Sequence, residues 1–159
     1  MSKSIPLPLH RLPALLPIAV LTALMYCIPA TAQDELSLEV VVREIVADNS
    51  GQGLDSRLGD IGKDMKKMSY TTFRLEQTHN LRLQGEQEGK VALLGKNQLS
   101  IVPAGEEEGK VRLKVKLTPG DKKQRSFEST LRIPDGGTFI IGGPAYGDGV
   151  LILALTARK

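Results

Sequence analysis

Hydrophobic positions along most of this chain alternate with polar ones, the period of a half-buried β-strand. Leu36, Leu38, Val40 and Val42 alternate with Ser37, Glu39, Val41 and Arg43 and predict a first strand. The run 48–53, Asp-Asn-Ser-Gly-Gln-Gly, is turn chemistry, and the period changes after it. Leu54, Leu58, Ile61, Met65 and Met68 follow one another at intervals of four, three, four and three, one stripe of an amphipathic helix near 55–68. Asp55 or Ser56 caps it, while Gly59 and Gly62 weaken it, so its stripe has to pack on a sheet.

Alternation returns after Ser69. Phe73 with Leu75 predicts one strand and Leu81 with Leu83 the next, with Gln77-Thr78-His79-Asn80 as turn residues between them. Val91 and Leu93, then Leu99 and Ile101, continue the pattern, with turns at 85–89, 95–97 and 103–109. Val111, Leu113, Val115 and Leu117 alternate strictly with Arg112, Lys114 and Lys116, and Phe127, Leu131 and Ile133 make a further strand before the turn 134–137. The segments 139–141 and 150–155 are apolar on both faces, which predicts central strands. Strands at this spacing predict a mainly β domain: an antiparallel sandwich or barrel-like sheet of about seven to nine strands with one amphipathic helix.

Composition narrows the class. The chain has 159 residues, 41% hydrophobic and 25% charged, which excludes collagen-like, coiled-coil and broadly disordered chains. The single cysteine, Cys27, excludes a disulfide framework. Residues 1–32 read as a secretory signal: Lys3 and Arg11 without an acid, an apolar stretch from Leu12 to Cys27, and Ala30-Thr31-Ala32 before a cleavage point after Ala32. The apolar stretch is shorter than the roughly 20 residues a membrane span requires. Leu24-Met25-Tyr26-Cys27 has the outline of a lipoprotein site, but Tyr26 stands where a small residue belongs. Losing Lys3 and Arg11 lowers the formal charge from +3 to +1, which removes any argument from bulk basicity for nucleic acid or anionic lipid. The remaining residues, 33–159, are one domain's worth. Localisation is accordingly periplasmic or secreted.

Three segments carry a resemblance. Leu38-Glu-Val-Val-Val-Arg-Glu-Ile-Val46 resembles the strand that opens the C-terminal domain of bacterial secretins. Thr130-Leu-Arg-Ile-Pro-Asp-Gly-Gly-Thr-Phe-Ile-Ile-Gly-Gly143 is similar to a late secretin hairpin, and Val150-Leu-Ile-Leu-Ala-Leu-Thr-Ala-Arg158 to the strand that follows it. Only Pro-Ala-Tyr-Gly-Asp-Gly separates Gly143 from Val150, and the long membrane-facing hairpins of a secretin are missing. The resemblance implies a shared sheet core or an envelope role, and no pore.

Candidate chemistry is sparse. After residue 32 the chain holds one histidine, His79, and no cysteine, too few ligands for a zinc site, and no Gly-x-Ser-x-Gly elbow exposes a serine. The segment 48–55 has oxygens at alternate positions and Gly53 at the sixth, as a calcium loop does, but Gly59 stands where its bidentate acid belongs. The glycine-rich run 142–149 opens onto a strand, not onto the helix a phosphate cradle needs, and Tyr146 sits at its tip. No catalytic residue, metal or cofactor is expected.

One cluster remains. Lys110, Arg112, Lys114, Lys116, Lys122, Lys123 and Arg125 place seven cations in sixteen residues against Asp121 alone. On a strand they form one solvent face, suited to an anionic envelope polymer or an acidic protein surface, or simply guarding an edge. Nucleic acid is not expected, because stacking aromatics are few: Phe73, Phe127, Phe139, Tyr70 and Tyr146. The sequence therefore suggests an exported, non-enzymatic β-domain of the bacterial cell envelope that binds or scaffolds. The alternatives are a secretin-related component or a small carboxylate-dependent enzyme.

Overall fold

Strict alternation in the middle of the chain builds a sheet whose apolar face needs a cover, and the two ends of the chain supply it. The computed structural model describes residues 37–159; the segment 1–32, expected to be a secretory signal, and Cys27 lie outside the described residues. Nine strands form: β1 (Ser37–Asp48), β2 (Gly53–Leu54), β3 (Thr72–Gln84), β4 (Gly89–Ala92), β5 (Gln98–Glu107), β6 (Lys110–Thr118), β7 (Phe127–Pro134), β8 (Thr138–Tyr146) and β9 (Gly149–Arg158). They make a five-stranded sheet in the order β2-β3-β1-β9-β8 and a four-stranded sheet in the order β4-β5-β6-β7. All ladders are antiparallel except the two-residue pairing of β2 with β3. Among the described residues no helix is long and apolar enough to cross a membrane.

The main core lies between the sheets. Leu38, Val40, Val42 and Val46 of β1 and Leu151, Leu153 and Leu155 of β9 meet Leu99, Ile101, Val111, Leu113, Val115, Leu117, Leu131 and Ile133 of the second sheet. The opposite face of the first sheet carries a second core, where Ile45, Ala47, Ile152 and Ala154 lie under Leu58, Ile61 and Met65. β1 and β9 are thus buried on both faces, which is why their sequences lose alternation where the helical segment covers them.

The expected helical stripe is present, with Leu58, Ile61 and Met65 buried and Leu54 and Met68 packed against them. Its backbone is not one α-helix. A 3-10 turn over Ser56–Ile61 leads into a single α-turn, α1, over Gly62–Met65. Gly59 and Gly62 weaken a regular α-helix here, and the segment keeps its stripe buried without one. Asp55 caps the segment by accepting the Arg57 N–H at 3.0 Å. A Cβ at Gly62 would stand 2.7 Å from Leu54 Cδ2, so a larger residue there would have to displace the end of the Leu54 side chain.

Three expectations need correction. The residues 77–80 are not a turn: β3 runs unbroken through them. A bulge opposite Glu44 and Ile45 gives β3 one extra residue, Glu76. That residue reverses the side-chain faces, so Phe73 and Leu75 pack under the helical segment while Leu81 and Leu83 face the second sheet. The segment 139–141 is not central: β8 is the edge of its sheet, and Phe139 is 41% exposed. The segment 130–143 is not a hairpin within one sheet. Its turn at Pro134–Gly137 carries the chain from β7 in the second sheet to β8 in the first, with Gly136 at φ +71°. β1 and β9 are ladder partners.

Candidate functional site

β6 drives Val111, Leu113, Val115 and Leu117 into the core, each at most 3% exposed, so Lys110, Arg112, Lys114 and Lys116 must point outward. Lys122, Lys123 and Arg125 are exposed on the loop from β6 to β7, where the Asp121 carboxylate accepts the Lys123 N–H at 2.9 Å. The structure thus brings the seven cations onto one hairpin. Their neighbours are not all cations. Glu128 of β7 stands opposite Lys116, and Arg132 opposite Arg112. Glu107 lies 3.1 Å from Arg132 and 3.8 Å from Arg112, and Glu106 lies 2.9 Å from Lys159. Glu88 accepts the Ser100 hydroxyl at 2.8 Å and pairs with Lys90 at 3.1 Å; these contacts hold its carboxyl below the usual range. Among the described residues, no carboxylate comes within 4.0 Å of Lys110, Lys114, Lys116, Lys122, Lys123 or Arg125. Charge with no carboxylate at bonding distance therefore lies on Lys110, Lys114, Lys116 and the loop, although Glu128 stands opposite Lys116 and Lys116 also acts on Glu88, while Arg112 is partly balanced.

The inner side holds polar groups that the alternation partly masked. Glu44 is fully buried at an inward position of β1, in line with Leu38, Val40, Val42 and Val46. A buried carboxylate requires partners. Its Oε1 lies 2.6 Å from His79 Nε2, and its Oε2 accepts the Leu94 N–H at 2.8 Å. His79 reaches this face because the bulge at Glu76 turns it inward, opposite Val42. Leu94 belongs to the β4–β5 turn of the other sheet, where Asn97 accepts the Gly120 N–H at 2.9 Å and donates to Leu94 O. One carboxylate thus ties the two sheets together. His79, expected as a turn residue, is a half-buried strand residue bonded to this carboxylate.

Four residues further along β1, the same face opens into a cleft of about 500 Å³ lined by Asp48, Asn49, Ser50, Arg74, Tyr146 and Asp148. Asp48 Oδ1 accepts both the Ser50 N–H, at 2.9 Å, and the Ser50 hydroxyl, at 2.6 Å; Oδ2 takes Arg74 at 2.7 Å. The Ser50 bonds, and then Arg74, hold the Asp48 carboxyl below its ordinary value. A carboxylate so held keeps its charge at neutral pH and is a poor proton donor. His79 is engaged with Glu44 and Ser50 with Asp48, so the two do not form a base and nucleophile. Tyr146 packs against the core and lines this cleft, with its ring 3.2 Å from where a Gly95 Cβ would stand.

Sequence reasoning found the cations and missed the Glu44–His79 contact and the cleft. One signal was available for Glu44: a charge at the inward parity of a strand whose other inward residues are aliphatic. The cleft had none, because it joins the 48–50 turn to the 146–149 turn across the sheet. Comparison of the chain with protein-family models, with curated proteins and with solved structures finds no match.

Proposed function

We propose that this chain is an exported, non-enzymatic β-domain of the bacterial cell envelope. In this reading it binds an anionic polymer or an acidic protein surface through the outer face of β6 and the loop after it. The observation that supports this is the segregation on β6. Its four apolar side chains are buried, and Lys114 and Lys116 project beside Lys122, Lys123 and Arg125 without a carboxylate at bonding distance among the described residues. Such a row raises the local concentration of an anionic partner and binds it in a salt-sensitive way. An enzyme working by carboxylates draws less support, because Asp48, the more buried acid of the cleft, has both oxygens engaged.

The test is retention on an immobilised sulfated polysaccharide. Lys114→Gln/Lys116→Gln/Lys123→Gln should elute at markedly lower salt than wild type. Lys63→Gln/Lys66→Gln/Lys67→Gln, an equal charge change on the helical segment of the other sheet, should elute like wild type. Equal shifts for both variants would reduce the face to general charge and defeat the proposal.

A further inference from the structure

The outer face of the first sheet is covered only in part. The helical segment lies over Ile45, Ala47, Ile152 and Ala154 and stops short of the rows carrying Thr138, Thr156 and Arg158. Where the cover ends, a pocket of about 210 Å³ lies between Arg43 of β1 and Arg158 of β9. It is smaller than the roughly 300–1,000 Å³ that holds a whole small-molecule ligand, so its size suits a head group.

The pocket is rich in donors and short of acceptors. Asp60 holds the Arg43 guanidinium by two bonds of 2.8 Å, which fixes Arg43 and engages both Asp60 oxygens. Arg43 Nε is buried without an acceptor. Among the described residues, no carboxylate is within 4.0 Å of Arg158. The hydroxyls of Thr138 and Thr156 lie 2.7 Å apart, so one proton joins them and the second hydroxyl proton is left to donate. The pocket's own lining sets two guanidinium groups against one carboxylate, with the exposed Glu39 opposite Arg158 in the β1–β9 ladder beyond it. A guanidinium presents paired N–H groups that match the oxygens of a planar or tetrahedral anion.

We propose that this pocket binds an oxyanion group, phosphate or carboxylate, held by Arg158 and the free threonine hydroxyl proton, with the anchored Arg43 supplying the second positive charge. The site is separate from the lysine face, which lies on the other sheet, and does not depend on it.

The experiment is a titration of the full chain followed by amide and Arg Nε–H chemical shifts. Inorganic phosphate and acetate are added separately, with chloride holding ionic strength constant. Saturable shifts at Thr138, Thr156 and Arg158 are expected for at least one of the two; which one saturates identifies the head group. Arg158→Gln, at an exposed position near the chain end, should weaken binding by about tenfold or more, the value of a charged hydrogen bond. Thr138→Val/Thr156→Val, which removes both hydroxyls, should weaken it too, and Lys63→Gln should leave it unchanged. Saturation by neither anion, or Arg158→Gln titrating like wild type, would overturn the proposal. So would shifts confined to Lys114, Lys116 and the loop 119–126, an outcome that would leave the lysine-face reading standing.

Discussion

Glu44 Oε1 and His79 Nε2 lie 2.6 Å apart on the inner face of the first sheet, and the second Glu44 oxygen takes a backbone N–H from the other sheet. The contact exists because a single extra residue, Glu76, turns the His79 half of β3 inward. Removing the buried Glu44 carboxylate leaves the Leu94 N–H and the His79 ring without their acceptor. Glu44→Leu should therefore destabilise the fold by about 1–3 kcal/mol in urea unfolding. Glu44→Leu/His79→Leu should recover part of that loss. A double variant whose loss equals the sum of the single losses would show that the two side chains do not interact.

The bulge carries its own prediction. Deleting Glu76 restores simple alternation along β3 and forces either Phe73 and Leu75 or Leu81 and Leu83 onto the wrong face. The deletion should abolish cooperative thermal unfolding, whereas deleting Lys122 from the exposed loop should be tolerated. A well-folded Glu76 deletion with native-like amide dispersion would contradict the face reversal.

The helical stripe predicts an asymmetry between neighbouring positions. Ile61 is 4% exposed and Lys63 is exposed. Ile61→Asp puts an unpaired charge into the core and should cost several kcal/mol, while Lys63→Asp should stay within about 0.5 kcal/mol. Melting temperatures of the two variants check this, and equal values would mean that the stripe is not buried.

Acid should weaken the fold through its anchored carboxylates. Hydrogen bonds from Ser50 to Asp48 and from Arg43 to Asp60 hold both groups below the usual range in the folded chain. The unfolded chain takes up these protons first, at about pH 4, so this stability is complete above that pH and is lost as pH falls through the folded values. Asp60→Asn should melt below wild type at about pH 7, and the gap should narrow toward about pH 3. A gap that is constant across that range would mean that Asp60 acts without its charge.

What could be read beforehand follows from physics visible in sequence order. β6 was legible because every inward residue is aliphatic and every outward one is cationic or polar. The stripe from Leu54 to Met68 was legible for the same reason at helical period, though its 3-10 geometry was not, since Gly59 and Gly62 weaken a helix without naming its replacement. The edge position of β8 was hidden, because Phe139-Ile140-Ile141 is as apolar as a central strand. β3 misled through its bulge: four polar residues in a row look like a turn when one extra residue moves their faces. Charge balance on the β6 face was illegible too, because Glu128 comes to stand opposite Lys116, and Glu107 near Arg112, only through strand register.

The lysine face is tested most directly by mapping where a polyanion touches the protein. Amide shifts on titration with a sulfated oligosaccharide should concentrate on Lys114, Lys116 and the loop 119–126, and should fade as salt is raised, because exposed charges are screened over about 8–10 Å at physiological salt. Shifts at those residues that persist at high salt, or shifts that fall instead on the cleft around Asp48 and Tyr146, would contradict the account.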